Sequence, residues 1–181
     1  MSVSAGSLPS ALSDWLSAHA DALDDGSADP EILLPELAVH ELVRVGVPKA
    51  LGGDGATLRD AVEALACVAE RSLTAAFVLW GQRTFVEYLR VSPNEALRAR
   101  LLEPLLDGAL AGATGLSNAL KFLSGIEELQ AQLTSQGDTL ALHGKSPWVT
   151  NLRKSGFVVA VVAGAPGGDG QWVLSVPGDE R

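Results

Sequence analysis

The spacing of apolar residues along the chain changes near residue 108. Before that point, apolar residues recur at three- and four-residue intervals, which is typical of amphipathic helices. After it, short alternating or wholly apolar runs are separated by glycine turns, which is typical of strands. The pattern predicts an α+β chain with two parts: an all-α helical bundle over residues 1–108 and a small antiparallel β-barrel or sandwich over residues 109–181.

Apolar periodicity and a capping motif locate the first three helices. A first helix is predicted over residues 8–23 and a second from about residue 30 to residue 45, because apolar side chains recur there at helical spacing. Thr57 and Asp60 have the spacing of a capping box, in which a hydroxyl and a carboxylate satisfy each other's backbone N–H groups. A third helix is therefore predicted to begin behind Thr57.

Two further helix starts follow. Ser72 is predicted to cap a fourth helix. Ser92, Pro93 and Glu95 combine a capping serine, a proline at the first helical position and a glutamate at the third. They predict a fifth helix that runs to about residue 107. Helices joined by short connections are typical of a compact bundle.

The second part of the chain is predicted to form hairpins. Its strands are predicted at residues 129–134, 139–143, 157–162 and 172–176. A small antiparallel sheet with open edges is only marginally stable on its own. We therefore expect this fold to be incomplete, with further polypeptide completing it after Arg181.

Composition and charge exclude several classes of function. The net charge is −9, whereas proteins that bind nucleic acids concentrate Lys and Arg, so no nucleic-acid partner is predicted. No apolar run approaches the roughly 18 residues of a membrane span, and the first residues lack a signal-peptide pattern. No membrane association is predicted, and the expected location is cytoplasmic. The single cysteine, Cys67, excludes an internal disulfide, and the histidines lack metal-ligand spacing, so no metal site is predicted.

Three segments, taken in order, resemble the acyl-CoA dehydrogenases. Residues 47–56 resemble that family's Val-Pro and Gly-Gly-x-Gly loop before a helix. Residues 105–114 are similar to its passage from the last amino-terminal helix into the first central strand. Residues 142–151 read Leu-His-Gly-Lys-Ser-Pro-Trp-Val-Thr-Asn and resemble its Gly-x-Lys…Trp-Ile-Thr-Asn segment. The resemblance spans essentially the whole chain.

The resemblance implies a flavoenzyme and its partners. In that family a helical bundle, a β domain and a second helical bundle enclose FAD, and the enzyme removes two hydrogens from an acyl thioester. It therefore implies FAD as cofactor, an acyl-CoA substrate, an electron-acceptor flavoprotein and a role in fatty acid metabolism. It also implies a homo-oligomer or a complementing chain, because the second helical bundle has no counterpart in these residues.

Three residues are predicted to contact the flavin. Trp148 and Thr150 match the family's flavin-contacting pair, and Thr114 matches a threonine that ends the first central strand. If Trp148 and Thr150 lie on a strand, their two-residue spacing places both side chains on one face. Spacing alone favours a core tryptophan and a solvated strand-end threonine, and only the resemblance favours a flavin contact instead.

Residues 115–122 depart from the family's pattern, in which Glu-Pro and Gly-Ser-Asp follow the strand. Ser117 and Asn118 are candidate substrate-binding residues there, although turn chemistry also explains them. The family's catalytic carboxylate belongs to its carboxy-terminal helical domain, so the catalytic residue of this chain is unknown. No acidic residue matches that position, including Glu103, Glu127, Glu128 and Glu180.

Three functions remain open at the level of sequence. The first is an acyl-CoA dehydrogenase-like oxidoreductase, inactive as this isolated chain. The second is a flavin-dependent monooxygenase of the same fold, which the altered residues 115–122 favour. The third is a non-catalytic truncated subunit that another chain completes. A fold by itself does not decide between reactions.

Overall fold

The computed structural model of the protein describes residues 7–168 and 170–178. The chain divides into two compact units, one ending at Ala111 and one beginning at Gly112. The first is helical, and the second contains most of the sheet. The predicted α+β order, with helices first and strands after them, is confirmed.

Within the described residues, the first unit contains five α-helices. Their bounds are α1 Ser10–Asp24, α2 Leu33–Val39, α3 Leu58–Ala69, α4 Leu73–Val91 and α5 Glu95–Leu106. Short 3₁₀ turns lie at Pro30–Ile32, Leu42–Arg44 and Lys49–Leu51. Each helix turns apolar side chains inward, and the buried core includes Leu12, Leu16, Leu37, Val43, Val68, Leu79, Phe85, Val86, Leu105 and Leu106.

Two predicted helix starts are confirmed. The Thr57 Oγ1 atom accepts a hydrogen bond from the Asp60 backbone N–H at 3.3 Å, and the Asp60 carboxylate accepts one from the Thr57 N–H at 2.7 Å. This reciprocal pair is the capping box of α3. At α4, the Ser72 hydroxyl oxygen accepts from the Ala75 N–H at 3.1 Å.

Two other helix predictions are wrong in their boundaries. The second helix does not reach residue 45, because Glu41 has a φ of 63°, and a left-handed residue ends the helical hydrogen-bond ladder. The fifth helix begins at Glu95 with Asn94 as its cap, and the Asn94 side chain accepts from the Leu97 N–H at 2.9 Å. Ser92 instead accepts from the Asn94 N–H at 3.2 Å and lies two residues before the cap.

The five strands form one sheet, and a short helix, α6, lies between the first two strands in the sequence. The elements are β1 Ala111–Thr114, α6 Ser117–Leu123, β2 Ala131–Gln136, β3 Thr139–Gly144, β4 Phe157–Gly164 and β5 Gln171–Gly178. The pairs β2–β3 and β4–β5 are antiparallel, as the hairpin prediction required. The helix α6 occupies most of residues 115–122, the segment that departs from the family's pattern.

The sheet is mixed and does not close into the predicted barrel. Strand β2 meets β4 in parallel at Gln132 and Gly164, and the sheet order is β1-β4-β2-β3 with β5 paired to β4. Within the described residues, β3 and β5 each pair along one edge only, so no closing contact is made. The apolar core of this unit consists of Ala113, Ala131, Leu133, Val159, Val161 and Ala163.

Among the described residues, no helix combines the length and the apolar character that a membrane crossing requires. Within the same residues, His, Cys, Asp and Glu form no group that could hold a metal ion.

Candidate functional site

Two of the predicted site residues meet at the end of β1. Thr114 is the last residue of that strand and is buried, with 8% of its surface exposed. It forms an isolated antiparallel bridge with Thr150. The structure therefore brings together the two sequence segments, residues 105–114 and 142–151, from which these threonines were predicted as neighbours of one ligand.

The segment formed by residues 146–151, called the 146–151 segment below, is tied to β1 at both ends. The Ser146 Oγ–H donates to the Gly115 carbonyl at 3.0 Å, and the Asn151 Nδ2–H donates to the Gly112 carbonyl at 3.0 Å. The Thr114–Thr150 bridge lies between these two bonds. Three contacts thus fix the backbone on either side of Trp148.

Gly115 makes this close approach possible. A Cβ atom at this position would lie 2.5 Å from the Ser146 Oγ and 3.0 Å from the Ala160 carbonyl oxygen. The Gly115 N–H donates to that same Ala160 carbonyl at 2.9 Å. Any side chain at Gly115 would therefore displace the Ser146 hydroxyl, which donates to the Gly115 carbonyl.

Trp148 lies on a bend, and its predicted strand placement is wrong. Its φ is 60° and that of Asn151 is 69°, so both residues are left-handed rather than extended. Because of this, Trp148 and Thr150 do not share one face of a strand. Left-handed backbone costs a side-chain-bearing residue about 1–2 kcal/mol, and such strain is concentrated at functional sites.

The bend leaves the Trp148 indole 80% exposed, which is unusual for so large an apolar group. Thr150 is half-buried beside it, and among the described residues its hydroxyl has no side-chain hydrogen-bond partner. An open aromatic face next to a hydroxyl on a fixed backbone suits a flat heteroaromatic ligand, which needs a stacking surface and hydrogen-bond donors. FAD therefore fits these residues.

Asn118 has a structural role within the chain. Its Nδ2 donates to the Glu127 Oε2 at 3.1 Å and to the Glu128 carbonyl at 3.0 Å. Its Oδ1 accepts from the Gln130 N–H at 2.9 Å. Asn118 is 5% exposed, and both of its amide hydrogens join α6 to the segment before β2.

Ser117 is the more accessible of the two predicted substrate residues. It is half-buried at the first position of α6, and no described residue hydrogen-bonds to its hydroxyl. The short helix behind it is anchored by Asn118 and by an ion pair between Lys121 and Glu127, whose nitrogen and oxygen lie 2.7 Å apart. Lys121 and Asn118 lower the pKa of Glu127 through their hydrogen bonds.

Two of the four acidic residues considered at the level of sequence form ion pairs. Glu103 forms an ion pair with Arg44 at 3.1 Å, and Glu127 pairs with Lys121. Glu180 lies outside the described residues.

Sequence reasoning did not single out Ser146, Asn151 and Gly115. All three lie in segments that it had examined, and two of them flank Trp148 and Thr150 within one motif. A bend was detectable in principle, because asparagine is enriched among left-handed residues. Nothing in the sequence indicated that Trp148 would have a left-handed backbone.

Proteins of known structure share this fold. No family model matches the sequence. Benzylmalonyl-CoA dehydrogenase from Aromatoleum aromaticum is 27% identical to it over 140 residues, which cover 77% of this chain and 37% of that protein.

Two solved structures superpose well on the chain. One is FkbI, for biosynthesis of the methoxymalonyl extender unit of the polyketide immunosuppressant Fk520, with a TM-score of 0.73 and 23% identity. The other is glutaryl-CoA dehydrogenase from Mycobacterium smegmatis, with a TM-score of 0.73 and 21% identity. Each match covers 93% of this chain, and 46% and 43% of the two solved chains, respectively. The chain thus spans less than half the length of these relatives.

Proposed function

We propose that this chain, which has an acyl-CoA dehydrogenase-like fold, forms the flavin-contacting part of an FAD-dependent oxidoreductase that acts on an acyl thioester. The observation that carries the proposal is the Thr114–Thr150 bridge, which fixes an exposed indole and a hydroxyl beside the end of β1. The sequence relative and one of the solved structures are named as dehydrogenases of CoA thioesters, which supports this class of reaction. The activity belongs to the whole protein, of which this chain supplies one part.

Each predicted flavin residue has a distinct task in the proposal. The Trp148 indole would hold FAD by stacking against its flat ring system. The Thr150 hydroxyl would donate a hydrogen bond to a flavin heteroatom, and Thr114 holds Thr150 in place through the bridge. FAD, when bound, supplies the hydride acceptor for oxidation of the acyl thioester. The protein contributes orientation and electrostatics around it.

The substrate side of the site is assigned to α6. In the proposal the free Ser117 hydroxyl contacts the thioester, and Asn118 acts indirectly by anchoring the helix through Glu127, Glu128 and Gln130. This division modifies the expectation from sequence, which gave both residues a direct contact. The catalytic carboxylate is provided from outside the described residues.

The proposal includes the partners that such an enzyme requires. An electron-accepting flavoprotein reoxidises the enzyme after each turnover, and a second copy or a complementing chain completes the site. The pathway is fatty acid metabolism, and the location is cytoplasmic, where the single thiol of Cys67 stays reduced.

The experiment that tests this function is anaerobic reduction of the purified, FAD-loaded protein by an acyl-CoA. We expect the oxidised-flavin absorption to bleach on addition of butyryl-CoA and to recover when an electron acceptor is added. Flavin that binds but is not bleached by any acyl-CoA, and that consumes oxygen when reduced chemically, would identify the monooxygenase alternative. Absence of flavin binding to the protein with all its co-purifying chains would contradict the proposal.

A further inference from the structure

The Ser146 hydroxyl connects the segment that carries Trp148 to the body of the sheet. Ser146 is half-buried, and its Oγ–H donates at 3.0 Å to the carbonyl of Gly115, a buried residue directly after β1. The Gly115 N–H donates in turn to the carbonyl of Ala160 in the middle of β4 at 2.9 Å. The hydroxyl is therefore bonded to a point that the sheet itself holds in place.

Pro147 makes the connection between Ser146 and Trp148 stiff. The proline ring fixes its own φ at about −65°, and it restricts the residue before it to extended conformations. Trp148 has a φ of 60°, in a region where a residue with a side chain has little room to move. Few backbone rotations therefore separate the Ser146 hydroxyl from the indole, so a shift of the first is passed on to the second.

The other two contacts of the 146–151 segment lie beyond Trp148 in the sequence. The Thr114–Thr150 bridge is made by backbone groups, so a side-chain substitution does not remove it. The Asn151 side-chain bond accompanies a left-handed backbone, so its removal also strains the chain. Ser146 holds the amino-terminal side of the bend, and loss of its hydroxyl would release that side alone.

We propose that Ser146 is a positioning residue of the flavin site, which sets the place of the Trp148 indole through its hydrogen bond to Gly115 and makes no contact with the flavin itself. The inference rests on the proposed function, because it takes the indole as the stacking surface for FAD. A surface that is already in place costs less to order on binding than one that must dock each time. The Ser146 hydroxyl supplies this preorganisation.

Gly115 leaves the room that the contact needs. A Cβ atom at this position would lie 2.5 Å from the Ser146 Oγ, well inside the roughly 3.5 Å at which non-bonded atoms are in contact. Gly115 is absent from the glycines with positive φ, so alanine can adopt its backbone conformation. Gly115→Ala should therefore disturb the Ser146 hydroxyl by its volume and not through backbone strain.

The test measures FAD affinity and flavin fluorescence in the native protein, together with all the chains that co-purify with it. Ser146→Ala should weaken FAD binding by roughly fivefold, the effect of one net hydrogen bond on an equilibrium. At saturating FAD its flavin fluorescence should exceed that of the wild type, because a stacked indole quenches the flavin and is no longer held against it. Ser146→Thr keeps the hydroxyl and should restore both values. A purely structural role would lower the melting temperature without changing the fluorescence of the bound flavin.

Two further variants separate the position of the hydroxyl from the loss of a hydrogen bond as such. Ser17→Ala is the matched control, because the Ser17 Oγ–H also donates to a backbone carbonyl, that of Ser13 at 2.9 Å, but does so within α1. It should change neither the affinity nor the fluorescence. Gly115→Ala should weaken FAD binding in the wild type but add little in Ser146→Ala, where the oxygen that its Cβ would meet is gone.

The outcomes distinguish this inference from the function on which it rests. A wild-type protein that does not bind FAD would contradict the proposed function, and this inference with it. Wild-type binding combined with unchanged affinity and fluorescence in Ser146→Ala would overturn the inference alone. Additive losses of affinity in Gly115→Ala and Ser146→Ala would overturn it as well, since the two residues would then act separately.

Discussion

Thr114 and Thr150 face each other across an isolated antiparallel bridge. It joins the end of β1 to a bend that exposes an indole, and hydrogen bonds from Ser146 and Asn151 lie on either side of it. The arrangement is held by one backbone bridge and by two side-chain hydrogen bonds to backbone carbonyls, and none of these contacts uses the Trp148 side chain. Substitutions of the exposed side chains should therefore alter ligand binding without unfolding the site.

Trp148→Ala tests directly whether ligand binding can be weakened without a loss of stability. With 80% of Trp148 exposed, its removal should leave the melting temperature unchanged, while loss of the stacking surface should weaken FAD binding by roughly tenfold. Flavin fluorescence titration gives the affinity, and calorimetry gives the stability. Trp172→Ala serves as a control, since that tryptophan lies on β5 and should not affect FAD affinity. A large loss of stability in Trp148→Ala would mean that the indole is buried in the protein.

Asn151 should stabilise the 146–151 segment in two ways. Its side chain donates to the Gly112 carbonyl, and its left-handed backbone suits asparagine better than alanine. Asn151→Ala should lower the free energy of unfolding by about 2–3 kcal/mol, the sum of one hydrogen bond and the conformational strain. Asn151→Gly keeps the backbone conformation, so it should lose less. Equal losses in denaturant titrations of the two variants would show that strain is unimportant here.

Gln82 links two helices through its buried amide. It is fully buried, and its Nε2 donates to the carbonyls of Leu105 at 2.7 Å and Leu110 at 2.9 Å. Gln82→Leu would leave both carbonyls without this donor, so we expect a loss of about 2–4 kcal/mol in urea denaturation. The exposed Gln136→Leu should change stability little. A similar effect from both substitutions would contradict this role.

Glu127 should give the protein an acid-sensitive contribution to stability. Hydrogen bonds from Lys121 and Asn118 lower its pKa below the ordinary value of 4.5. A carboxyl with a lower pKa in the folded state stabilises the fold above its unfolded pKa, and this contribution is lost as pH falls through the folded pKa. Between pH 7 and pH 3, Glu127→Gln should therefore show a shallower fall in melting temperature than the wild type. Glu128→Gln is the matched control, because Asn118 contacts only its backbone carbonyl. Parallel melting curves for Glu127→Gln and the wild type would refute the assignment.

Helix caps were predictable from the sequence where they involve only residues a few positions apart. The box at Thr57 and Asp60 and the cap at Ser72 depend on residues three positions apart, and both form as expected. At α5, Ser92 and Asn94 compete for the same role, and the sequence offers no reason to prefer the second. The early end of α2 depends on a left-handed glutamate, Glu41, a conformation that its residue type does not indicate.

The sequence predicted which segments meet at the site but not the geometry of their residues. The resemblance brought Thr114 and Thr150 to one place, and the structure pairs them. The bend at Trp148 arises from contacts of Ser146 and Asn151 with β1, which are distant in sequence and therefore absent from any local pattern. The order of strands in the sheet is likewise set by long-range pairing, which is why the parallel pairing of β2 with β4 was not anticipated.

The neighbouring positions of β1 and β4 in the sheet affect the order in which the molecule can be made. All of α6 and the β2–β3 hairpin is synthesised between these two strands, so β1 stays unpaired with β4 until Phe157 and the residues after it have left the ribosome. The five helices α1–α5, in contrast, are all synthesised before β4. Sequence-distant pairing is slow and leaves strand edges open in the meantime. During synthesis, the chain therefore passes through a stage in which the helical bundle is followed by an unpaired β1. At this stage the open edge of β1 exposes the chain to aggregation.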